Sequence, residues 1–204
     1  MSFYERYILP ELIHFICNRK QFLENRQTIL NHAKGIVLDI GMGSGTNLPL
    51  LNNSNIKQII GLEPSERLRK KAMDTAEKNK LLIETVPNGA ENIPLEKHSI
   101  DTAILTFTMC TIPDINAALK EINRVLKPGG QLLFCEHGRA PEKNIQRWQN
   151  RLNPAWKKIA GGCNLNRDIP ELINQTGLKI KTLEQGYMKG PKAMSFIHKG
   201  IARK

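Results

Sequence analysis

No stretch of this 204-residue sequence approaches the ~20 consecutive apolar residues that would span a bilayer. No CxxC pair is present. Cys17, Cys110, Cys135 and Cys163 stand far apart, a spacing that argues against a zinc site and for reduced thiols. Neither a GxGxxG run nor a GK[ST] ending exists, which disfavours dinucleotide binding and phosphate cradling. Aromatic residues are few, with 2 Trp and 3 Tyr, a poor provision for stacking bases, so no specific nucleic acid is expected as a partner. Repeats, low-complexity runs and linker-like stretches are also missing, so one domain is expected over residues 1–204. The first 17 residues, MSFYERYILPELIHFIC, are apolar but broken by Glu5, Arg6, Pro10 and Glu11. They read as neither a signal peptide nor a membrane anchor, and a cytoplasmic chain is expected.

What is abundant is positive charge: a formal net charge of +11, with lysines and arginines spread along the whole chain. Such a surface attracts polyanions, and it makes peripheral contact with an anionic membrane a partner to test. Oligomeric state is not legible.

The stretch that organises the rest is residues 36–47, IVLDIGMGSGTN. A short apolar run bounded by glycine reads as a buried strand. Gly41, Gly43 and Gly45 then allow a tight turn and a close backbone approach to a ligand. A strand ending in such a loop makes a nucleotide-sized site at the carboxyl edge of a parallel sheet, here expected to open into a helix at 48–51, LPLL. Residues 56–62 form a second strand ending at Glu63, about 20 residues past the loop, where an acid can accept from two ribose hydroxyls. Pro64 suits the first turn of the following helix.

Strands are further expected at 81–86, 99–106 and 131–136, and an amphipathic helix over 115–126, stopped by Lys127-Pro128-Gly129-Gly130. Helical patterns also cover 2–34, 148–162 and 168–176, and a terminal hairpin pairs 178–185 with 195–202. Alternating strands and helices imply an α/β, Rossmann-like fold with helices on both faces. Three regions are expected within it: a helical cap at 1–34, a cofactor-binding core at 35–136, and a substrate cap with hairpin at 137–204.

With those pieces in order, the chain resembles the class I S-adenosylmethionine-dependent methyltransferases. The resemblance is carried by VLDIGMGSG, by Glu63, by Gly89-Ala90-Glu91-Asn92-Ile93-Pro94, and by LKEINRVLKPGGQLLF, together spanning about 36–136. It implies a seven-stranded sheet with the last strand antiparallel, and S-adenosyl-L-methionine as methyl donor. It implies donor contacts at Asp39, Gly41, Met42, Gly43, Gly45, Asn47, Glu63, Pro64, Gly89, Ala90, Glu91 and Thr106. Many relatives carry Asp where Gly89 stands; here the adenine contact must fall to backbone near Ala90, to Glu91, or to water. Thr108-Met109-Cys110-Thr111, Glu136-His137, Trp148, Leu152-Asn153-Pro154-Ala155-Trp156 and Gly162-Cys163-Asn164-Leu165-Asn166-Arg167-Asp168 resemble a subgroup that methylates alkyl thiols. That subgroup is akin to ubiquinone/menaquinone C-methyltransferases and phospholipid N-methyltransferases.

The expected acceptor is therefore a small apolar or amphiphilic molecule, with a thiol first and a lipid amine or quinone carbon as alternatives. His137 is the candidate base or thiolate stabiliser, since a thiol reacts as its thiolate. Cys110 is expected as pocket wall, and Trp148 and Trp156 as packing of the cap or lining of an apolar pocket; Asn164 and Asp168 are expected to order the cap and Arg167 to meet an anionic group, or all three to serve as loop and helix-cap polar groups. A reading of another class, a non-catalytic cofactor-binding module or an RNA-binding regulator, is opposed by the intact glycine loop with Glu63 and by the few aromatics.

Overall fold

The computed structural model describes residues 19–204. The expected helical pattern over 2–18, with Ile8, Leu12, Phe15 and Ile16, lies outside the described residues. A single seven-stranded sheet runs in the order β3-β2-β1-β4-β5-β7-β6. The strands are β1 (Gly35–Ile40), β2 (Ile56–Leu62), β3 (Ile83–Val86), β4 (Ile100–Thr106), β5 (Leu126–His137), β6 (Lys179–Tyr187) and β7 (Phe196–Arg203). Neighbours from β3 to β5 pair in parallel, while β7 is antiparallel to both β5 and β6. This is the Rossmann-like sheet with an antiparallel last strand that the sequence led us to expect. The chain goes from β1 outward to β2 and β3, then returns to β4 on the other side of β1. The reversal opens a crevice beyond the carboxyl ends of β1 and β4, where such sheets bind their ligands.

Both faces of the sheet are covered, so the central strands read as apolar throughout rather than alternating. Successive residues go to opposite sides. Leu38, Ile60 and Leu105 pack with α3 (Ile115–Val125) and α5 (Ile169–Asn174), while Val37, Ile59 and Ile104 pack with α1 (Lys20–Leu30) and α2 (Glu66–Lys78). Helix α3 shows how sequence becomes packing. Asp114 accepts the Ala117 N–H as N-cap, and Ile115, Ala118, Leu119, Ile122 and Val125 recur at three and four and are all buried. Each large side chain of that stripe stabilises by about 1.5–3 kcal/mol when removed from water.

Two expectations need correction. Residues 48–51 do not begin an α-helix: Leu48–Leu50 is a single 3₁₀ turn, and a second one, Asn53–Asn55, leads into β2. The Asn52 side chain accepts the Ser54 N–H at 3.2 Å, a local bond that competes with helix continuation. The run at 127–130 also does not separate helix from strand. β5 follows α3 directly at Leu126, and the glycines are absorbed as a register irregularity against β4. The tail helix α4 (Lys143–Ile159) starts five residues earlier than its pattern suggested, and a one-turn helix α6 (Lys192–Ser195) sits inside the hairpin connection. β6 forms the sheet edge with most of its residues exposed, Lys179, Lys181 and Glu184 among them, which discourages pairing with another sheet.

β7 is held close by Gly200. A Cβ there would lie 2.0 Å from the Thr182 carbonyl oxygen and 3.0 Å from Phe134 Cζ. Gly200→Val is therefore expected to destabilise the protein by about 1–3 kcal/mol, the range for overpacking. Urea unfolding checks this; an unchanged midpoint would contradict the packing of β7 against β6.

Candidate active site at the carboxyl edge of the sheet

The glycine loop after β1 is pinned from below. Gly41 and Met42 donate their backbone N–H groups to the Leu62 carbonyl at 2.8 and 3.2 Å. The Met42 side chain turns into the protein, and its Sδ lies 1.9 Å from where a Cβ on Gly61 would stand. Its thioether is thus core packing, and only its backbone faces the loop. Gly43 is the open point. It has φ +57°, and a Cβ there would meet nothing nearer than 4.0 Å. Left-handed backbone and free space in front of it are what a ligand approaching the main chain requires.

Glu63 closes the loop from the β2 side. Its Oε2 accepts the Gly43 N–H at 3.1 Å and its Oε1 accepts the Ser65 N–H at 2.9 Å. Each carboxylate oxygen keeps a further lone pair, so both remain able to accept from vicinal hydroxyls. Burial raises the Glu63 pKa, and the Ser65 and Gly43 N–H bonds pull it back down. Pro64 is exposed and lies before the helix, whose N-cap is Ser65; the Pro64 carbonyl accepts from Arg69 at 2.8 Å.

Beneath the loop, three expected donor-site residues come together with one that sequence reasoning missed. Asp39 Oδ1 accepts from Asn47 Nδ2 at 2.8 Å, and Asn47 Oδ1 accepts from Arg26 at 2.7 Å. Thr106 donates to Asn47 Oδ1 at 3.1 Å and accepts from Arg26. All four are buried. Arg26 arrives on α1, and its guanidinium also lies 5.1 Å from the Phe107 ring. Nothing in the sequence distinguishes it among 30 lysines and arginines. Gly45 backs onto Leu48 and α2.

On the far side of Glu63, Ala90 is buried and Glu91 half-buried. The Glu91 Oε2 lies 2.7 Å from where a Cβ on Gly89 would be. A side chain at 89 and the present Glu91 rotamer would exclude each other. The Glu91 carboxylate thus occupies the space directly beside Gly89.

Above β4 and β5 lies a second cluster. The Glu136 carboxylate accepts the Thr108 N–H at 2.8 Å and shapes the turn after β4, where Phe107 takes a positive φ of 54°. Burial pushes the Glu136 pKa up to about 7. His137 Nε2 stands 3.2 Å from Cys163 Sγ, and the Trp156 indole N–H donates to the same sulfur at 3.2 Å. Cys110 is buried beside them, tied to the Cys163 segment by two 2.9 Å bonds from Asn164 to its carbonyl. The Cys163 thiol is held well below its usual range by the neighbouring Cys110 thiol and by His137, while Cys110 is pushed up by Cys163 and by burial. Burial would lower the His137 pKa, but the Cys163 sulfur and Glu136 hold it above the ordinary value.

Of the two roles expected for Arg167, the structure shows the loop contact. Its guanidinium donates to the carbonyls of Met109 and Ile112, the latter at 2.8 Å, fixing the β4–α3 loop. Asp168 caps α5 through the Glu171 N–H, and Trp148 is exposed.

Residues 38–134 match the family described as Methyltransferase domain. The chain carries a methyltransferase domain. It is 33% identical over 152 residues to the rat thiol S-methyltransferase TMT1B, covering 72% of this chain and 62% of that protein. It is 31% identical over 177 residues to the ubiquinone/menaquinone biosynthesis C-methyltransferase UbiE of Bartonella tribocorum, covering 83% and 62%. A solved S-adenosylmethionine-dependent methyltransferase from Thermotoga maritima shares the fold with a TM-score of 0.67 at 24% identity, over 98% of each chain. The chain thus spans less than two thirds of these curated relatives' length. The open front of Gly43 and the paired oxygens of Glu63 fit the family's donor, S-adenosyl-L-methionine.

Two outcomes follow. Glu63→Ala should weaken S-adenosylmethionine binding by roughly 1–3 kcal/mol, read by calorimetry, the range expected when hydroxyls lose a charged partner. For Asp39, burial raises the pKa from 3.8 to about 7 despite the Asn47 bond. A folded-state pKa above the unfolded one means that the folded protein binds the proton more tightly, so stability falls as pH rises from about 4 to 7 and is level above. Asp39→Asn should remove that slope, gaining on the wild type by on the order of 1–4 kcal/mol across the window. Parallel slopes for the two proteins in pH-dependent unfolding would contradict it.

Proposed function

We propose that this protein transfers a methyl group from S-adenosylmethionine to the sulfur of a small apolar or amphiphilic thiol. The observation that carries the acceptor is the cluster above β4 and β5, where His137 and the Trp156 N–H both face one sulfur. A pocket wall that holds imidazole and an N–H donor toward sulfur is suited to keeping a thiol ionised, and the thiolate is the nucleophile. The relative named as a thiol S-methyltransferase supports the same reading.

In the transfer, the thiolate attacks the methyl carbon from the side opposite the donor sulfur. The new S–CH₃ bond forms as the sulfonium C–S bond breaks, and its electron pair stays on the departing thioether. The methyl is already activated, so alignment supplies much of the rate. On this reading Glu63 and the Gly43 region hold the donor, and the loops after β4 and β5 hold the acceptor with its sulfur toward the methyl. Carbon methylation of a quinone precursor is the second reading. It is favoured by Glu136, a buried carboxyl with pKa near 7 suited to general base work, and by the likeness to UbiE.

We further propose a cytoplasmic protein that touches anionic membranes through its basic surface. Among the described residues no helix is long and apolar enough to cross a membrane. Flotation with phosphatidylglycerol vesicles should show binding that fades as salt rises; no binding at low salt would remove the membrane from the account. Labelled methyl transfer to separate pools of alkyl thiols, phosphatidylethanolamine vesicles and a quinone precursor tests the acceptor. Label is expected on the thiols. Label on the quinone precursor alone would replace the thiolate argument with Glu136.

A further inference from the structure

Three metal-ligand side chains meet at the acceptor end of the site, drawn from three separate segments. Cys110 comes from the loop after β4, His137 from the end of β5, and Cys163 from the loop after α4. Their donor atoms all lie within 4.8 Å of one another, and His137 Nε2 is 3.2 Å from Cys163 Sγ. In tetrahedral zinc coordination, with bonds of about 2.3 Å to sulfur and 2.0–2.1 Å to nitrogen, neighbouring ligand atoms sit roughly 3.5–3.8 Å apart. Shifts of under about 1 Å would bring the trio to that spacing. The sequence argued against zinc because no CxxC spacing exists; the fold supplies by tertiary contact what spacing does not.

We propose that Cys110 Sγ, Cys163 Sγ and His137 Nε2 bind a zinc-class divalent ion, with the fourth position left to the thiolate of the acceptor. Two soft sulfurs and an imidazole select zinc over magnesium or calcium. Three protein ligands are the number that catalytic zinc sites use while keeping one position open. The surroundings fit. The Trp156 N–H bonded to Cys163 Sγ is an outer contact of the kind that orients a ligating thiolate. Both bonds from Asn164 to the Cys110 carbonyl fix the two cysteine segments together. Arg167, the nearby cation, spends its guanidinium on the carbonyls of Met109 and Ile112 and so stays outside the trio. At the ion, a thiol would exchange for bound water, releasing its proton to solvent. The bound sulfur would then take the methyl while the donor sulfur keeps the electron pair of the broken bond, and water would return as the methylated product leaves.

The metal site stands on the geometry of the trio; the fourth position rests on the thiol reading above, and one experiment separates them. The full chain is purified under a phosphine reductant, freed of metal, and titrated with cobalt(II). One cobalt per chain is expected, with the visible bands of tetrahedral cobalt and a sulfur-to-cobalt band. Cys163→Ser and His137→Gln should lose these bands, Trp156→Phe should weaken binding by about 10–100-fold, and Cys135→Ala should keep them. An added alkyl thiol should shift the bands. In the wild type alone, zinc should raise the thermal midpoint and shield two thiols from alkylation, readouts that remain if a variant does not fold. Folded, fully reduced wild type that takes up no cobalt and gains no thermal stability from zinc would overturn the site. So would a Cys110–Cys163 disulfide that persists until reduced, followed by no uptake. Intact cobalt bands that no thiol shifts would keep the ion and remove the acceptor from its fourth position.

Discussion

The buried hydrogen-bonded chain Asp39–Asn47–Arg26, closed by Thr106, is the constraint on which the rest of the site depends. Each partner belongs to a different element: β1, the glycine loop, α1 and β4. A polar group left without a partner at this depth costs on the order of 1–3 kcal/mol, and a charged one more. The loop can therefore sit in few arrangements without stranding one of them. The same chain draws Arg26 under the carboxyl edge, and with it Phe107, whose ring lies 4.9 Å from that of Phe22. The glycine loop and the turn after β4 are thus positioned by one network.

Around that network the sheet supplies direction. Parallel strands place β1, β2 and β4 with their carboxyl ends on one edge, so Gly43, Glu63 and Thr106 come together although residues 43 and 106 are far apart in the chain. β5, one strand further, adds Glu136 and His137 at the same edge. Glu136 fixes the turn after β4 while His137 meets Cys163, so one dipeptide ties together the turn after β4 and the loop after α4.

Much of this is legible in the sequence. Periodicity gave the strands because a sheet covered on both faces needs apolar runs, and it gave α3 because its stripe is clean. The glycine loop and Glu63 were legible because their chemistry depends on residues within one βαβ-like unit. What sequence missed depends on distance. Arg26 and the pairing of Trp156 with Cys163 act through contacts between segments remote in the chain, and no local pattern marks them. The short 3₁₀ turn at Leu48–Leu50 was misread because LPLL looks helical until the Asn52 side chain is seen capturing Ser54. At Gly89 the sequence left three substitutes open, backbone near Ala90, Glu91 or water, and the Glu91 carboxylate is found beside it.

The central claim is spatial: a donor held by Gly43 and Glu63 with its methyl directed toward Cys110, His137 and Cys163. A crystal structure with bound S-adenosylhomocysteine tests it most directly. The account predicts both ribose hydroxyls on the Glu63 carboxylate, backbone of the 41–45 loop against the amino-acid end, and the sulfur facing the His137 and Cys163 wall. Ribose bound away from Glu63, or sulfur facing the other side of the crevice, would contradict it.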